Sequence, residues 1–207
     1  MEKRIFITGI GTDVGKTLAS AILAEAWQAD YWKPIQAGNL DQLETDYVRS
    51  MVANTTSVIH PTQVLLKTPC SPHHAAMLDG VNIQPDDLML PKTKNTLLIE
   101  GAGGLMVPLR KDFLILDLIQ YWNLPVVVVS RNYLGSINHT LLTLQVLMQA
   151  NVKILGLVFT DTDNWDSMEY IAGVSQIPVI GHIPHLDEIT PKRISEVATR
   201  FKKISDL

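Results

Sequence analysis

The sequence predicts an α/β fold: a mostly parallel central sheet with helices on both faces. Three observations carry this. Short runs rich in β-branched residues recur at 4–8, 96–100, 125–130, 153–160 and 178–183. They are near-continuously apolar rather than alternating, as strands buried on both faces should be. Stretches with helical spacing lie between them, and strand alternating with helix calls for right-handed crossovers and parallel pairing.

Each element has its own warrant. The segment 17–29 is rich in Ala and Leu, and in 114–122 Leu and Ile recur at intervals of three and four. Segments 137–150, 166–175 and 191–204 share that spacing, so all five read as helices. Tyr31-Trp32 ends a second short strand, just before Lys33-Pro34. The stretch 40–94 is polar and proline-studded and offers one further helix at 41–51. No repeat, low-complexity tract or linker divides the chain, so residues 1–207 are read as a single domain.

Composition narrows the function. A net charge of -4 gives no general attraction to nucleic acid or acidic membranes, although a locally basic pocket is compatible with it. The lone cysteine, Cys70, excludes an internal disulfide framework and a multi-cysteine metal site. The longest strongly apolar stretch, 124–130, is far short of the roughly 20 residues of a membrane span. The apolar run after Lys3 and Arg4 breaks at Gly9 and Gly11, too early for a signal peptide. The chain reads as cytoplasmic, with neither membrane nor nucleic acid as partner.

Residues 9–17, GIGTDVGKT, follow the first strand and open the first helix. They end like a phosphate-binding loop, but five residues separate Gly9 from Gly15, one more than the usual pattern. The strand and helix flanks match as well as the letters, so this is a nucleotide site and the fold is P-loop NTPase-like. Backbone N–H groups and the positive helix end would hold phosphate oxygens. Lys16 would reach the terminal phosphates and the Thr17 hydroxyl would sit on Mg²⁺. No second threonine follows at position 18, which is Leu18, so that position is assigned no nucleotide contact.

Further candidates lie after the other strands. Glu100 ends an apolar run and precedes Gly101-Ala102-Gly103-Gly104, an acid placed to anchor Mg²⁺ beside glycines that admit a close ligand. Lys33 would add positive charge beside the phosphates, where charge develops during transfer. Asp46, on the weak helix, is a further candidate, though a single helical Asp is usually just solvated. Gly135, Ser136, Ile137 and Asn138 open a helix whose amides suit an anion such as a carboxylate, with a simple Ser136 cap as the alternative. The histidines show no metal-ligand spacing, and no Asn-Lys-x-Asp guanine reader occurs.

Together these segments resemble the dethiobiotin synthetase family, whose phosphate loop, G-T-x-T-x-V-G-K-T, carries the same extra residue. The likeness continues through Tyr-x-Lys-Pro at 31–34, the Asp46 helix, Ser71-Pro72-His73 and Glu-Gly-Ala-Gly-Gly at 100–104. Leu-Gly-x-Ile-Asn-His at 134–139, Tyr170 and Gly-x-Ile-Pro at 181–184 extend it over nearly the whole chain. The resemblance implies a carbamate formed from CO₂ or bicarbonate on 7,8-diaminopelargonic acid, its attack on the γ-phosphate of ATP, and closure of a cyclic urea. It implies Thr17, Asp46 and Glu100 as Mg²⁺ ligands and Lys16, Lys33 and Thr12 as the catalytic groups. Asp13, Val14, Gly15, Lys16 and Thr17 would bind the nucleotide phosphates, with Thr160 and Pro184 on the base side. Thr12, Lys33, Gly103, residues Gly135 to Asn138 and Tyr170 would hold substrate, partly across a homodimer interface.

Three departures from the family pattern stand out. Asp13 replaces a usual Glu, and Ala37 lacks a hydroxyl the family often has. Thr160 replaces an asparagine that reads adenine, so looser base selectivity is expected, with GTP or CTP better accepted. Two rival readings compete. An amidating relative would need a glutaminase domain for which this chain has no room. A ParA/MinD-like nucleotide-switch ATPase would carry a lysine early in the loop, where Gly11 stands. The Lys- and Arg-containing tail after 191 reads as a packed terminal helix rather than a membrane anchor.

Overall fold

A computed structural model describes residues 3–161 and 166–207. The chain runs β1 (Arg4–Gly9), α1 (Lys16–Trp27), β2 (Asp30–Trp32), β3 (Ile35–Ala37), α2 (Glu44–Met51), β4 (Val64–Leu66) and α3 (Pro72–Asp79). It continues through β5 (Leu97–Gly104), β6 (Pro108–Arg110), β7 (Phe113–Leu114), α4 (Ile115–Tyr121), β8 (Val126–Arg131) and α5 (Ser136–Gln149). It ends with β9 (Ile154–Thr160), α6 (Asp166–Ser175), β10 (Val179–Ile183) and α7 (Pro191–Ala198). Six strands form one sheet in the order β10-β9-β8-β1-β5-β2, every pairing parallel. Two short ribbons stand apart, β3 with β4 and β6 with β7.

The apolar runs are explained by two cores, one on each face. Successive residues of a strand point to opposite faces, so Phe6, Ile99, Val126 and Val128 pack with Leu118 of α4, Leu144 of α5 and Ile171 of α6. Ile5, Ile7, Leu98, Val127 and Val129 pack the other way, against Ile22 of α1 and Ile194 and Val197 of α7. Burying both faces makes a charged residue in mid-strand costly unless it finds a partner. The buried Glu100 in β5 is therefore conspicuous.

Three expected boundaries move by three residues or more, each for a local reason. The weak helix starts at Glu44 rather than 41, because Gly38 and Asn39 both take left-handed φ values, 75° and 51°, and turn the chain first. The strand at 96–100 runs on to Gly104, which places Glu100 inside β5 opposite Ile7 rather than at its tip. The terminal helix ends at Ala198, not 204, because the chain returns to the sheet edge. There the Lys202 N–H bonds the Ile180 carbonyl at 3.0 Å, and the Phe201 ring covers Gly181, where a Cβ would meet it at 2.7 Å. Among the described residues no helix is long and apolar enough to cross a membrane.

Candidate active site

The loop between β1 and α1 sits over the centre of the sheet. It folds back so closely that a Cβ on Gly9 would lie 2.6 Å from the Val14 side chain. The extra residue is accommodated with two left-handed positions, Asp13 at φ 57° and Gly15 at φ 84°, and only glycine takes the second without strain. Lys16 is buried, and its Nζ donates to the Gly11 carbonyl at 2.9 Å. Burial lowers its pKa, the nearby Glu100 carboxylate opposes this, and the Lys33 ammonium adds to it. An anion in the loop would satisfy Lys16 better than the carbonyl does.

A polar cluster lies beside the loop. The Thr17 hydroxyl is 2.8 Å from Glu44 Oε2 and 2.9 Å from Glu100 Oε1. Lys33 Nζ bridges the same two carboxylates, at 2.5 Å to Glu44 and 3.2 Å to Glu100. The Tyr31 hydroxyl donates to the other Glu100 oxygen at 3.0 Å. Burial would lower the Lys33 pKa, but the two carboxylates outweigh it and hold the ammonium above its usual range. Glu100 is pushed up, first by burial and further by Glu44, with Lys33 opposing. Burial also acts upward on Glu44, yet Lys33 and hydrogen bonds from Glu100, Lys33 and Thr17 bring it down to about 2. Two acids held this close are separated in pKa, with Glu44 the better-ionised member.

Thr17, Lys33, Glu44 and Glu100 face a cavity of about 770 Å³, with Tyr31 buried behind them. Of the residues expected from sequence, Thr12, Asp13, Gly15, Lys16, Thr17, Lys33, Glu100 and Gly103 line it. Val14 instead turns into the apolar core. Position 18 offers no second threonine hydroxyl to a nucleotide: Leu18 is half-buried, packs against the core beneath α1 and does not line the cavity. Its neighbour Thr17 is thus the last residue of the loop to face the site. Gly103 stands against Thr12, whose Oγ1 would be 3.6 Å from an added Cβ. Cys70 and Ser71 close the far wall.

Other expected residues lie elsewhere. Asp46 is outside the cluster, paired with Arg49 on the exposed side of α2, though it shares a shallow hollow with Thr17 and Leu18. Glu44 takes the inward place, since residues two apart on a helix point about 200° from each other. Thr160 is buried, and its hydroxyl donates to the Val14 carbonyl at 3.0 Å rather than facing the open site. Gly135, Ser136, Ile137 and Asn138 begin α5, and Tyr170 is exposed on α6; none of them, nor Pro184, lines the cavity of the same chain. Sequence reasoning missed Glu44, Tyr31 and Gln36. Gln36 is buried, accepts the Glu44 N–H at 3.0 Å and so fixes the start of α2. An acid in the first turn of a helix that follows Lys33 was the available signal for Glu44.

Thr17 and Glu100 offer a hydroxyl and a carboxylate 2.9 Å apart, hard oxygens suited to Mg²⁺, while the Glu44 carboxylate beside them pairs with Lys33. Among the described residues no three His, Cys, Asp or Glu side chains converge as a self-contained metal site. A cation here would therefore draw further ligands from a bound phosphate, as Mg²⁺ commonly does.

Comparison with known proteins gives the family and the fold. A family profile described as an AAA domain matches residues 3–193. A protein of Christiangramia forsetii named ATP-dependent dethiobiotin synthetase BioD is 46% identical over 206 residues, covering 98% of each chain. A protein of the same name from Rhodopseudomonas palustris is 44% identical over 189 residues, 91% of this chain and 90% of the relative. Among solved structures, the septum site-determining protein MinD of Pyrococcus horikoshii, complexed with Mg-ADP, superposes with a TM-score of 0.58 at 15% identity. That match covers 96% of this chain and 95% of the other, and at such identity it carries the fold alone.

Proposed function

This chain belongs to the ATP-dependent dethiobiotin synthetase family and carries the AAA-domain profile, and on that premise we propose that residues 1–207 act as one domain converting 7,8-diaminopelargonic acid, CO₂ and ATP to dethiobiotin, ADP and phosphate. The observation that supports it best is the gathering of Lys16, Lys33, Thr12 and Gly103 around one cavity beside the phosphate loop. In this reading the two lysines are the cations beside the meeting carbamate and terminal phosphate.

In this reading one amine of the substrate is carbamylated by CO₂ and loses a proton. A carbamate oxygen then bonds the γ-phosphorus as the bond to ADP breaks. The second amine attacks the carbonyl carbon, phosphate leaves with its oxygen, and the amine releases a proton. Lys16 and the loop amides bind the phosphates, Lys33 faces the carbamate, and Thr12 with Gly103 fixes the reacting end. Thr17 and Glu100 would hold Mg²⁺, with Asp46 reaching it from the outer hollow by releasing Arg49. That cation, when bound, neutralises charge on the phosphate oxygens. The loop amides and Lys16 would position the nucleotide, with Pro184 near the base and Thr160 bracing the loop from beneath.

We place the substrate carboxylate on the start of α5, Gly135 to Asn138, with Tyr170, contributed by a partner subunit in a homodimer. Two features support this: these residues lie outside the cavity of their own chain, and apolar Leu134, Leu142, Tyr170 and Val174 are exposed beside them. The test is a mass-spectrometric assay with Mg-ATP, bicarbonate and the diamine, with and without Lys16→Ala. Dethiobiotin and ADP forming in equal amounts, and only with Lys16 intact, is the expected result. ADP formed at a rate indifferent to the diamine would leave a nucleotide-switch ATPase as the better reading.

A further inference from the structure

Lys33 has two anionic partners, and they are not equivalent. Glu100 lies in mid-strand in β5, fully buried, with Tyr31 on one oxygen and Thr17 and Lys33 on the other. Glu44 sits at the first turn of α2, held at its backbone by Gln36 and facing the cavity rim. The Lys33 ammonium lies 2.5 Å from the rim acid and 3.2 Å from the buried one. A buried carboxylate needs a counter-charge, and in this arrangement Lys33 supplies it for Glu100. The same Glu100 oxygen accepts from Thr17, which is also where the proposed cation would bind. Lys33 and a divalent cation thus have a claim on one atom.

We propose that Lys33 is the resident counter-ion of Glu100 in the nucleotide-free enzyme, that it gives up Glu100 when a divalent cation binds, and that Glu44 is the positioning residue that keeps it at the cavity wall when it does. This rests on the proposed cation site at Thr17 and Glu100. Its consequence is an order of events: Lys33 stays withdrawn between two carboxylates until Glu100 is taken. It then has one carboxylate instead of two and its remaining N–H donors turn to the anion in the cavity. By linkage, cation and anionic substrate should each strengthen the binding of the other. Without Glu44 the displaced ammonium would have no fixed partner on the protein.

The test reads cation binding, not product, so it stands or falls separately from the synthetase assay. Mn²⁺ affinity would be measured by electron paramagnetic resonance in the presence of ADP for the wild type, Lys33→Met, Glu44→Gln and the double variant. Removing the competing ammonium should tighten Mn²⁺ by about tenfold, and removing its second anchor should weaken it by a similar factor. In the double variant the effect of Glu44→Gln should shrink to about twofold or less, because its partner is gone. Unchanged or weaker Mn²⁺ binding in Lys33→Met would overturn the proposal. So would an undiminished Glu44→Gln effect in the double variant, which would make Glu44 a direct ligand. A measurement on the unaltered protein guards against misfolded variants: the ¹⁵N-labelled Lys33 ammonium resonance should shift with Mg²⁺ plus ADP relative to ADP alone. A resonance indifferent to saturating Mg²⁺ would count decisively against the exchange.

Discussion

The hydroxyl of Thr160, the last residue of β9, donates to the backbone carbonyl of Val14 at 3.0 Å. Its methyl group meets the place where Gly15 lacks a Cβ, at 3.1 Å. Arg131 adds a second brace: its Nε pairs with Asp161 at 2.5 Å and a guanidinium nitrogen donates to the Asp13 carbonyl at 3.2 Å. The side chain at the position expected to read the base therefore supports the phosphate loop from beneath. Thr160→Val keeps the shape but leaves the Val14 carbonyl without this donor. A loss of about 1 kcal/mol corresponds to a roughly fivefold rise in KM for ATP. The rise should be equal for GTP and CTP in competition kinetics. A rise confined to ATP would put Thr160 on the adenine after all.

Much of this was legible in the sequence, and the reasons for success and failure are physical. The strands were visible because both faces of the sheet are buried, so Ile5, Phe6 and Ile7 are all apolar. The phosphate loop was visible because Gly9, Gly15, Lys16 and Thr17 are each required by backbone or ligand rather than by packing. Glu44 was legible only as one of two acids early in α2. Which of Glu44 and Asp46 turns inward depends on where α2 begins, and that is set by left-handed Gly38 and Asn39 and by Gln36, all outside the helix. The role of Thr160 was hidden for a similar reason, since its partner is 146 residues away in sequence. The early end of α7 depends on the β10 edge, which periodicity within the tail cannot report.

That tail gives a stability test. Phe201 is 7% exposed and packs over Gly181 at the outermost strand of the sheet. Phe201→Ala should cost about 3 kcal/mol, the low end for a core phenylalanine, because the edge can partly collapse. Urea denaturation monitored by Trp fluorescence would measure it. A cost below about 1 kcal/mol would mean that the segment after α7 does not hold β10.

Acid stability offers another. Glu25 of α1 accepts from the Ala53 and Asn54 N–H groups, the Asn54 amide and the Ser195 hydroxyl, joining α1, the chain after α2 and α7. Burial acts to raise its pKa, but these donors outweigh it and hold the carboxyl below the ordinary 4.5. A depressed folded-state pKa gives stability that is present above the unfolded value and lost as pH falls through the folded one. The wild type should therefore exceed Glu25→Gln in stability by a constant margin above about pH 4.5, with the margin shrinking below it. A margin that grows on acidification would contradict the assignment.

The last prediction concerns the proposed shared site. Leu134 is fully exposed immediately before Gly135, and Leu142, Tyr170 and Val174 are exposed on α5 and α6. Apolar groups gathered beside an anion-suited helix start are what a subunit interface with a polar ligand at its edge requires. Leu134→Asp puts a charge into that interface without touching the phosphate loop. Light scattering should show a shift toward monomer, and KM for the diamine should rise by about tenfold or more while the affinity for ADP stays unchanged. If the variant becomes monomeric with an unaltered KM for the diamine, the carboxylate is held within one subunit. If it stays dimeric, the contact lies on another face.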